Sequence, residues 1–225
     1  MSAGKTEAPI ELETAPRPDA SVILLHGLGA DGNDLAAIVP ELGLPRSLAV
    51  RFVLPHAPYR PVTINAGQVM RAWYDIKLTD TGFNQSLTHI RESEQLVRGM
   101  IETEIGRGVR PERVVLGGFS QGGAIALVTG LHLASPLAGI MALSAPVPLA
   151  GNLMGQADPA NRQVPIFMAH GAYDGIIPFA TAEAARNLLS AGGACIEWHE
   201  YPMEHSICMA EIKDISRWLA ERFGR

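Results

Sequence analysis

Apolar runs alternate with amphipathic runs along most of the chain. Six stretches have the length and the β-branched or aliphatic content of buried strands: Ser21–His26, Ala49–Leu54, Arg113–Gly118, Gly139–Leu143, Val164–Ala169 and Ala194–Tyr201. The last of them alternates apolar and polar positions, which is typical of a half-exposed edge strand. A further short antiparallel strand is predicted ahead of them at Ile10–Thr14.

Helical patterns fill most of the intervals between these strands. The predicted helices are Asn33–Leu42, Thr88–Ile105, Phe179–Ser190 and the segment that follows His205. In the long second helix, apolar residues recur on one face, as expected of a helix that packs on a sheet. Strands that alternate with helices form right-handed crossovers. The chain is therefore predicted to be an α/β protein with a mostly parallel sheet and helices on both faces.

One segment breaks the alternation. Tyr59–Ser86 has no strong period and contains the sequence Trp73-Tyr74-Asp75. It is long for a plain connection, and long loops of this kind are usually functional or mobile. We expect it to lie near the carboxyl ends of the strands, where sites form in open α/β sheets.

The bulk composition is that of one globular domain. Hydrophobic residues make up 47% of the 225 residues and charged residues 18%, which is enough apolar material for a full core. No internal repeat is present. We predict a polar, proline-containing tail over residues 1–19 and a single domain over residues 20–225.

Charge and cysteine usage exclude several classes of function. The formal net charge is −5 and no lysine or arginine cluster occurs, which argues against nucleic acid or an anionic membrane as a partner. The chain has no signal-peptide pattern and no apolar run long enough to span a bilayer. Cys195 and Cys208 lack metal-ligand spacing and are expected to be reduced thiols, although the sequence alone leaves a disulfide open. These features predict a cytoplasmic protein that uses no metal.

The most informative stretch is VVLGGFSQGGAIAL at residues 114–127. It predicts a buried strand, a tight turn that carries Ser120, and an apolar helix. Gly118 and Gly122 stand two residues before and after the serine, where side chains would collide in so sharp a bend. A serine at such a turn is presented at the top of the sheet as a nucleophile. A capping serine in a flexible glycine turn is the alternative, but the strand and helix on either side favour the nucleophile elbow of an α/β-hydrolase.

A serine nucleophile needs a base, and the base needs an orienting acid. In this fold the order along the chain is serine, acid, histidine. Asp174 follows a predicted strand in a glycine turn, and His205 lies in a loop before the last helix. His170 precedes the acid and is expected to be a hydrogen-bonded residue at a strand end. His199 is expected to be exposed on the edge strand. The predicted triad is therefore Ser120, Asp174 and His205.

An oxyanion hole needs two backbone donors directed at the developing charge. The first is expected from Gln121, the residue after the nucleophile. The second is expected from the loop HGLGAD at residues 26–31, where glycines allow close approach of the backbone, and Leu28 is the predicted donor. The same loop is also a reasonable start for the helix that follows, and both roles are compatible.

Five segments together carry a family resemblance: LHGLGADGNDL, RAWYDI, VVLGGFSQGGAIAL, HGAYDGIIPF and YPMEHSI. In this order they resemble the carboxylesterase/acyl-protein thioesterase family of small serine α/β-hydrolases, over about residues 21–219. The resemblance implies the same triad and the same oxyanion donors. It also implies that Trp73 walls the acyl pocket, whereas the sequence alone makes Trp73 equally a core aromatic. Glu204 departs from the family pattern, in which a small residue is usual before the histidine.

These observations predict a serine hydrolase that cleaves carboxylic esters of small to medium acyl chains through an acyl-enzyme. No cofactor is expected, and the partner is a small-molecule ester or thioester. An acyl-protein thioesterase or lysophospholipase that acts on lipid-derived substrates is the alternative within enzymes. A non-catalytic binding protein on a hydrolase scaffold is the alternative of another class, but it would be expected to lack a triad member. The sequence leaves a homodimer open.

Overall fold

The computed structural model describes residues 7–80, 82–148 and 152–224. Its strands are β1 (Ile10–Glu13), β2 (Ala20–Leu25), β3 (Val50–Leu54), β4 (Tyr59–Val62), β5 (Gln68–Arg71), β6 (Ile76–Thr79), β7 (Gly82–Gln85), β8 (Val114–Phe119), β9 (Gly139–Leu143), β10 (Pro165–Gly171) and β11 (Cys195–Tyr201). Its helices are α1 (Gly32–Ala36), α2 (Ile38–Glu41), α3 (Leu87–Gly106), α4 (Gln121–Leu131), α5 (Phe179–Ala191) and α6 (Met209–Phe223).

A seven-stranded sheet with the order β1-β3-β2-β8-β9-β10-β11 organises the described residues. Neighbouring strands of this sheet are parallel, except that β1 is antiparallel to β3. Every one of the six strands predicted from apolar runs is present, with ends displaced by two residues or fewer. The prediction of an α/β-hydrolase fold with a mostly parallel sheet is confirmed.

The chain enters the sheet earlier than the predicted start of the domain. In β1, Ile10 pairs with Leu54 and Glu13 with Arg51, whose guanidinium Nε lies 3.0 Å from a Glu13 carboxylate oxygen. Ile10 and Leu12 pack against the core because the alternation of Ile-Glu-Leu-Glu directs both to one face. The short antiparallel strand predicted at Ile10–Thr14 is therefore present as an edge strand, and it lies within the residues predicted as a tail.

Successive residues of the sheet strands pack into two separate apolar clusters, one on each face of the sheet. Ile23 and Leu25 of β2 belong to a cluster with apolar residues of α3, α4 and α5. Val22 and Leu24 belong to a cluster on the opposite face with α1, α2 and α6. Because side chains of a strand alternate between faces, a continuous apolar run covers both sides of a parallel sheet.

The predicted helix Asn33–Leu42 is divided into α1 and α2 at Ala37. Pro40 explains the break, since it has no N–H to donate to the carbonyl of Ala36 and its ring crowds that carbonyl. The other predicted helices are present, and the long one extends from Leu87 to Gly106.

The segment from Tyr59 to Gln85 forms two small hairpins, β4–β5 and β6–β7, outside the main sheet. This segment has no strong period in the sequence, so the sequence did not predict these four strands. The turn of the first hairpin uses Ala66 and Gly67, both with positive φ. The β6–β7 hairpin pairs Leu78 with Phe83, and both side chains are exposed.

Candidate active site

Ser120 lies in a sharp turn between β8 and α4 with φ 52° and ψ −120°. Few non-glycine residues adopt this conformation, which costs about 1–3 kcal/mol and persists only where the surroundings impose it. A Cβ on Gly118 would lie 2.4 Å from the carbonyl carbon of Gly122, and a Cβ on Gly122 would lie 2.2 Å from the Leu25 carbonyl oxygen. The close contacts between β8, α4 and β2 therefore require glycine at both positions.

The structure brings Ser120, His205 and Asp174 into one hydrogen-bonded line. The distance between Ser120 Oγ and His205 Nε2 is 2.9 Å, and that between His205 Nδ1 and Asp174 Oδ2 is 2.7 Å. Because a carboxylate only accepts, the Nδ1–H of His205 donates to Asp174. Nε2 is then left to accept from the serine hydroxyl, as a general base requires.

Asp174 is held as a carboxylate by several donors. Its Oδ1 accepts from the backbone N–H groups of Ile176 and Ile177, each at 2.8 Å. Burial by itself would raise the pKa of Asp174, but hydrogen bonds from His205 and these two amides outweigh it. The pKa of Asp174 therefore lies below its ordinary value, so the acid is a carboxylate at neutral pH.

A second histidine supports the acid from the other side. His170, buried at the end of β10, places its Nε2 2.8 Å from the carbonyl oxygen of Ile177 and 3.3 Å from Asp174 Oδ2. Since the carbonyl accepts, His170 Nε2 carries the proton. His170 thus ties the turn that holds Asp174 to the sheet and does not reach the serine, as the sequence predicts for a strand-end histidine.

The loop that carries His205 is fixed against β10. The amide of Tyr173 donates to the Met203 carbonyl oxygen at 3.0 Å. A Cβ on Gly171 would lie 2.4 Å from the carbonyl oxygens of both Met203 and Glu204. The His205 ring also packs on Phe119, with 4.8 Å between the ring centroids. These contacts hold the imidazole beside the serine.

The two predicted oxyanion donors, Leu28 and Gln121, line the same cavity as Ser120. Neither backbone N–H donates to any group in the described ranges. The Gly27 carbonyl accepts from His26 Nδ1 at 2.7 Å and from the Ala30 amide at 3.3 Å. Because the peptide group is planar and trans, anchoring this carbonyl turns the Leu28 N–H in the opposite direction.

His26 is a supporting residue whose role no sequence pattern indicates, since the order of residues in the chain identifies only the catalytic base. Its Nε2 accepts from the Ala57 amide at 3.0 Å, so the proton lies on Nδ1. Burial lowers the pKa of His26, although the hydrogen bond to Gly27 opposes this. The ring is therefore a neutral donor to the turn that contains Leu28.

Trp73 does not wall the cavity, which corrects the prediction drawn from the resemblance. Its side chain is 0% exposed, and its indole N–H donates to the His26 carbonyl oxygen at 2.9 Å. The Gln121 side chain accepts from the Trp73 amide and donates to the Tyr74 carbonyl oxygen, each at 2.7 Å. Trp73 and Tyr74 are both buried in the same apolar cluster, and of the two only Tyr74 lines the cavity.

A cavity of about 740 Å³ opens at the serine. Its wall is mainly apolar, with contributions from Leu28, Ile64, Tyr74, Ile76, Phe83, Phe119, Pro146, Ile176 and Ile177. The outer part is wide, since Phe83 is 64% exposed and Ile176 67%. The volume lies within the range of sites that bury a whole small ligand.

In the described ranges, no three His, Cys, Asp or Glu side chains are grouped to hold a metal ion. None of the helices described is both long and apolar enough to cross a bilayer. Cys195 and Cys208 are free thiols.

The fold and the serine turn define an α/β-hydrolase. A family model described as Phospholipase/Carboxylesterase matches residues 9–222, and the chain belongs to this family. The chain is 36% identical over 231 residues to acyl-protein thioesterase 1 of Gibberella zeae, covering 99% of this chain and 98% of the relative. It is 37% identical over 227 residues to acyl-protein thioesterase 1 of Neurospora crassa, covering 96% of this chain and 92% of the relative.

A solved structure gives the same result for the fold. Arabidopsis thaliana SOBER1 superposes with a TM-score of 0.83 at 31% identity, over 90% of this chain and 98% of that one. The protein is therefore a hydrolase of the esterase and thioesterase type.

Proposed function

We propose that this chain hydrolyses acyl thioesters and carboxylic esters through a Ser120 acyl-enzyme, with an acyl chain of medium to long length in the 740 Å³ cavity. The observation that carries the proposal is the hydrogen-bonded line from Ser120 through His205 to Asp174 at the mouth of that cavity. Relatives named acyl-protein thioesterase support a thioester substrate.

In the first half of the cycle, Ser120 Oγ attacks the acyl carbonyl while His205 Nε2 takes its proton. The negative charge that develops on the carbonyl oxygen is stabilised by the amides of Leu28 and Gln121. Such donors each contribute about 10²–10³-fold in turnover. Asp174 stabilises the imidazolium, and its low pKa keeps it charged throughout.

In the second half, the tetrahedral intermediate collapses and His205 protonates the departing alcohol or thiol. A water molecule then attacks the acyl-enzyme while His205 takes its proton. The bond between the acyl carbon and Ser120 Oγ breaks, His205 returns the proton to Oγ, and the carboxylic acid is released. The cycle uses protein groups and water.

The cavity favours a longer acyl chain than the small to medium chain predicted from the sequence. Its wall is apolar, and burial of apolar area contributes about 25 cal/mol per Å², so each methylene that fits adds to transition-state binding. The small to medium acyl chain of the sequence prediction stays an alternative that the panel below tests. The cytoplasmic location, the absence of a cofactor and the homodimer that the sequence left open also stay predictions.

The test is a panel of matched esters and thioesters from acetyl to palmitoyl, combined with a fluorophosphonate probe. We expect kcat/KM to rise with chain length, and labelling to be lost in Ser120→Ala. Ser190→Ala, an exposed serine on α5, is the control and should label normally. Normal labelling of Ser120→Ala would refute the proposal. A maximum of kcat/KM at the acetyl or butyryl substrate would instead support a carboxylesterase for small esters.

A further inference from the structure

A second cavity, of about 280 Å³, lies beside the acyl cavity. Both are lined by Phe119, His205 and Asp34, but Ser120 and the oxyanion donors line only the larger one. The two cavities thus meet at the catalytic imidazole. The larger one takes the acyl group in the proposed function, on which this inference rests.

Proton transfer determines what the smaller cavity can hold. In acyl transfer, His205 Nε2 delivers the proton from Ser120 to the leaving heteroatom, so that atom must lie within hydrogen-bond reach of the imidazole. With the acyl chain in the larger cavity, the group attached to the heteroatom continues past His205. The smaller cavity is the adjoining space that receives this group.

The lining of this cavity combines apolar walls with one charge. Leu35, Ile38, Ile207 and Phe119 provide apolar surface, and Ser206 provides a hydroxyl. Among the described residues, Asp34 is the only carboxylate in the lining of the two cavities, and it lines both. No described lysine or arginine lines either cavity. The exposed Asp34 carboxylate makes no ion pair or hydrogen bond with any residue that the structure describes.

The nearby Asp31, unlike Asp34, has hydrogen-bond partners for its carboxylate. Asp31 accepts hydrogen bonds from the backbone amide and the side chain of Asn33 at the start of α1. The Asp34 carboxylate does not cap the helix, and Asp34 lines the two cavities instead. A carboxylate beside an aromatic ring and aliphatic walls is the environment that attracts an ammonium group attached to an apolar body.

We propose that the smaller cavity is a leaving-group subsite for alcohols and thiols that carry a positive charge a few bonds from the ester or thioester heteroatom. Asp34 attracts the cation, and the ring of Phe119 contacts its methyl or methylene groups. In the acylation step the Ser120–acyl bond forms and the bond from acyl carbon to the heteroatom breaks. His205 returns the proton to the heteroatom, and the cation leaves with its charge unchanged.

The experiment compares substrates that differ in charge alone. Butyrylcholine and 3,3-dimethylbutyl butyrate have the same shape, and butyrylthiocholine with its neutral carbon analogue gives the thioester pair. We expect the wild-type enzyme to prefer the cationic member by about 5- to 10-fold in kcat/KM at low ionic strength, the range of a partly exposed charge contact. The preference should shrink in 0.5 M salt, because an exposed charge pair is screened.

Asp34→Asn should bring the ratio between the two substrates close to one. The ratio is the measurement, since it cancels any general loss of activity in the variant. Glu112→Gln removes an equal charge from an exposed residue before β8, at the opposite end of the strand from Ser120, and should keep the cationic preference. If Asp34→Asn does not fold, the salt series on the wild-type enzyme decides.

Equal rates on charged and neutral members in the wild-type enzyme, or an undiminished preference in Asp34→Asn, would overturn the subsite and leave the proposed hydrolysis intact. Failure to hydrolyse either pair together with every member of the acetyl-to-palmitoyl panel would overturn the proposed function and the subsite with it.

Discussion

The catalytic edge of the sheet and the hairpin segment Tyr59–Gln85 line the same cavity but are built differently. At the catalytic edge, polar groups are buried and paired, as in the contacts of Asp174 with His205 and two backbone amides. The hairpins leave large apolar side chains such as Val69, Leu78 and Phe83 in solvent. A paired polar site tolerates little change in position, whereas an open apolar wall tolerates substitution and tunes which substrate fits.

The largest expected effect comes from the buried acid. Asp174→Asn should reduce kcat by about 10⁴-fold, because an amide cannot hold the imidazole with its proton on Nδ1. Asp158→Asn is a matched control, since its carboxylate also accepts from the amide two residues ahead but has no histidine partner. Steady-state rates on one thioester would test this, and a loss below 100-fold for Asp174→Asn would mean that another group orients His205.

Glu211 is an exception at the catalytic edge, because it is buried but unpaired. Neither carboxylate oxygen has a hydrogen-bond partner among the described residues, and burial raises the pKa of Glu211 to about 8. The folded state therefore binds the proton more tightly than the unfolded chain does. Stability is retained at low pH and is lost as the pH rises from about 4.5 to about 8.

Glu211→Gln should remove this loss. A shift of this size corresponds to an upper bound of about 5 kcal/mol in the free energy of unfolding above pH 8. We expect the substitution to raise Tm at pH 9 and to change it little at pH 4.5, as measured by thermal denaturation across the pH range. Equal changes in Tm at both pH values would show that Glu211 is already ionised in the folded protein.

The third prediction concerns the support of the oxyanion donor. His26→Ala removes the donor that anchors the Gly27 carbonyl, so the Leu28 N–H loses its fixed direction. We expect kcat to fall by about 10²-fold, which is no more than the fall expected when one oxyanion donor is removed entirely. His26→Asn keeps an N–H near the Nδ1 position and should restore part of the rate. If the two variants lose activity equally, the ring acts by packing alone.

The same contrast explains how much was predictable from the sequence. The positions of Ser120, Asp174 and His205 follow from chain order and strand ends, since parallel strands bring their carboxyl ends to one edge. The roles of His26 and the Gln121 side chain depend on contacts with residues 30 or more positions away, which no local pattern contains. Trp73 was assigned to the pocket by the family resemblance alone, and its segment between the two hairpins has no periodicity that tells inward from outward side chains.

The smallest expected effect is in the hairpins. Phe83 lines the acyl cavity, whereas its cross-strand partner Leu78 is equally exposed but does not line it. Phe83→Ala should lower the ratio of kcat/KM for a palmitoyl over an acetyl substrate by about 5-fold. Full burial of a large apolar side chain contributes about 1.5–3 kcal/mol, and a partly exposed ring contributes only part of that energy. Leu78→Ala should leave that ratio unchanged. An equal fall in both variants would mean that the hairpin binds acyl chains as a general apolar surface and that the cavity wall does not select chain length.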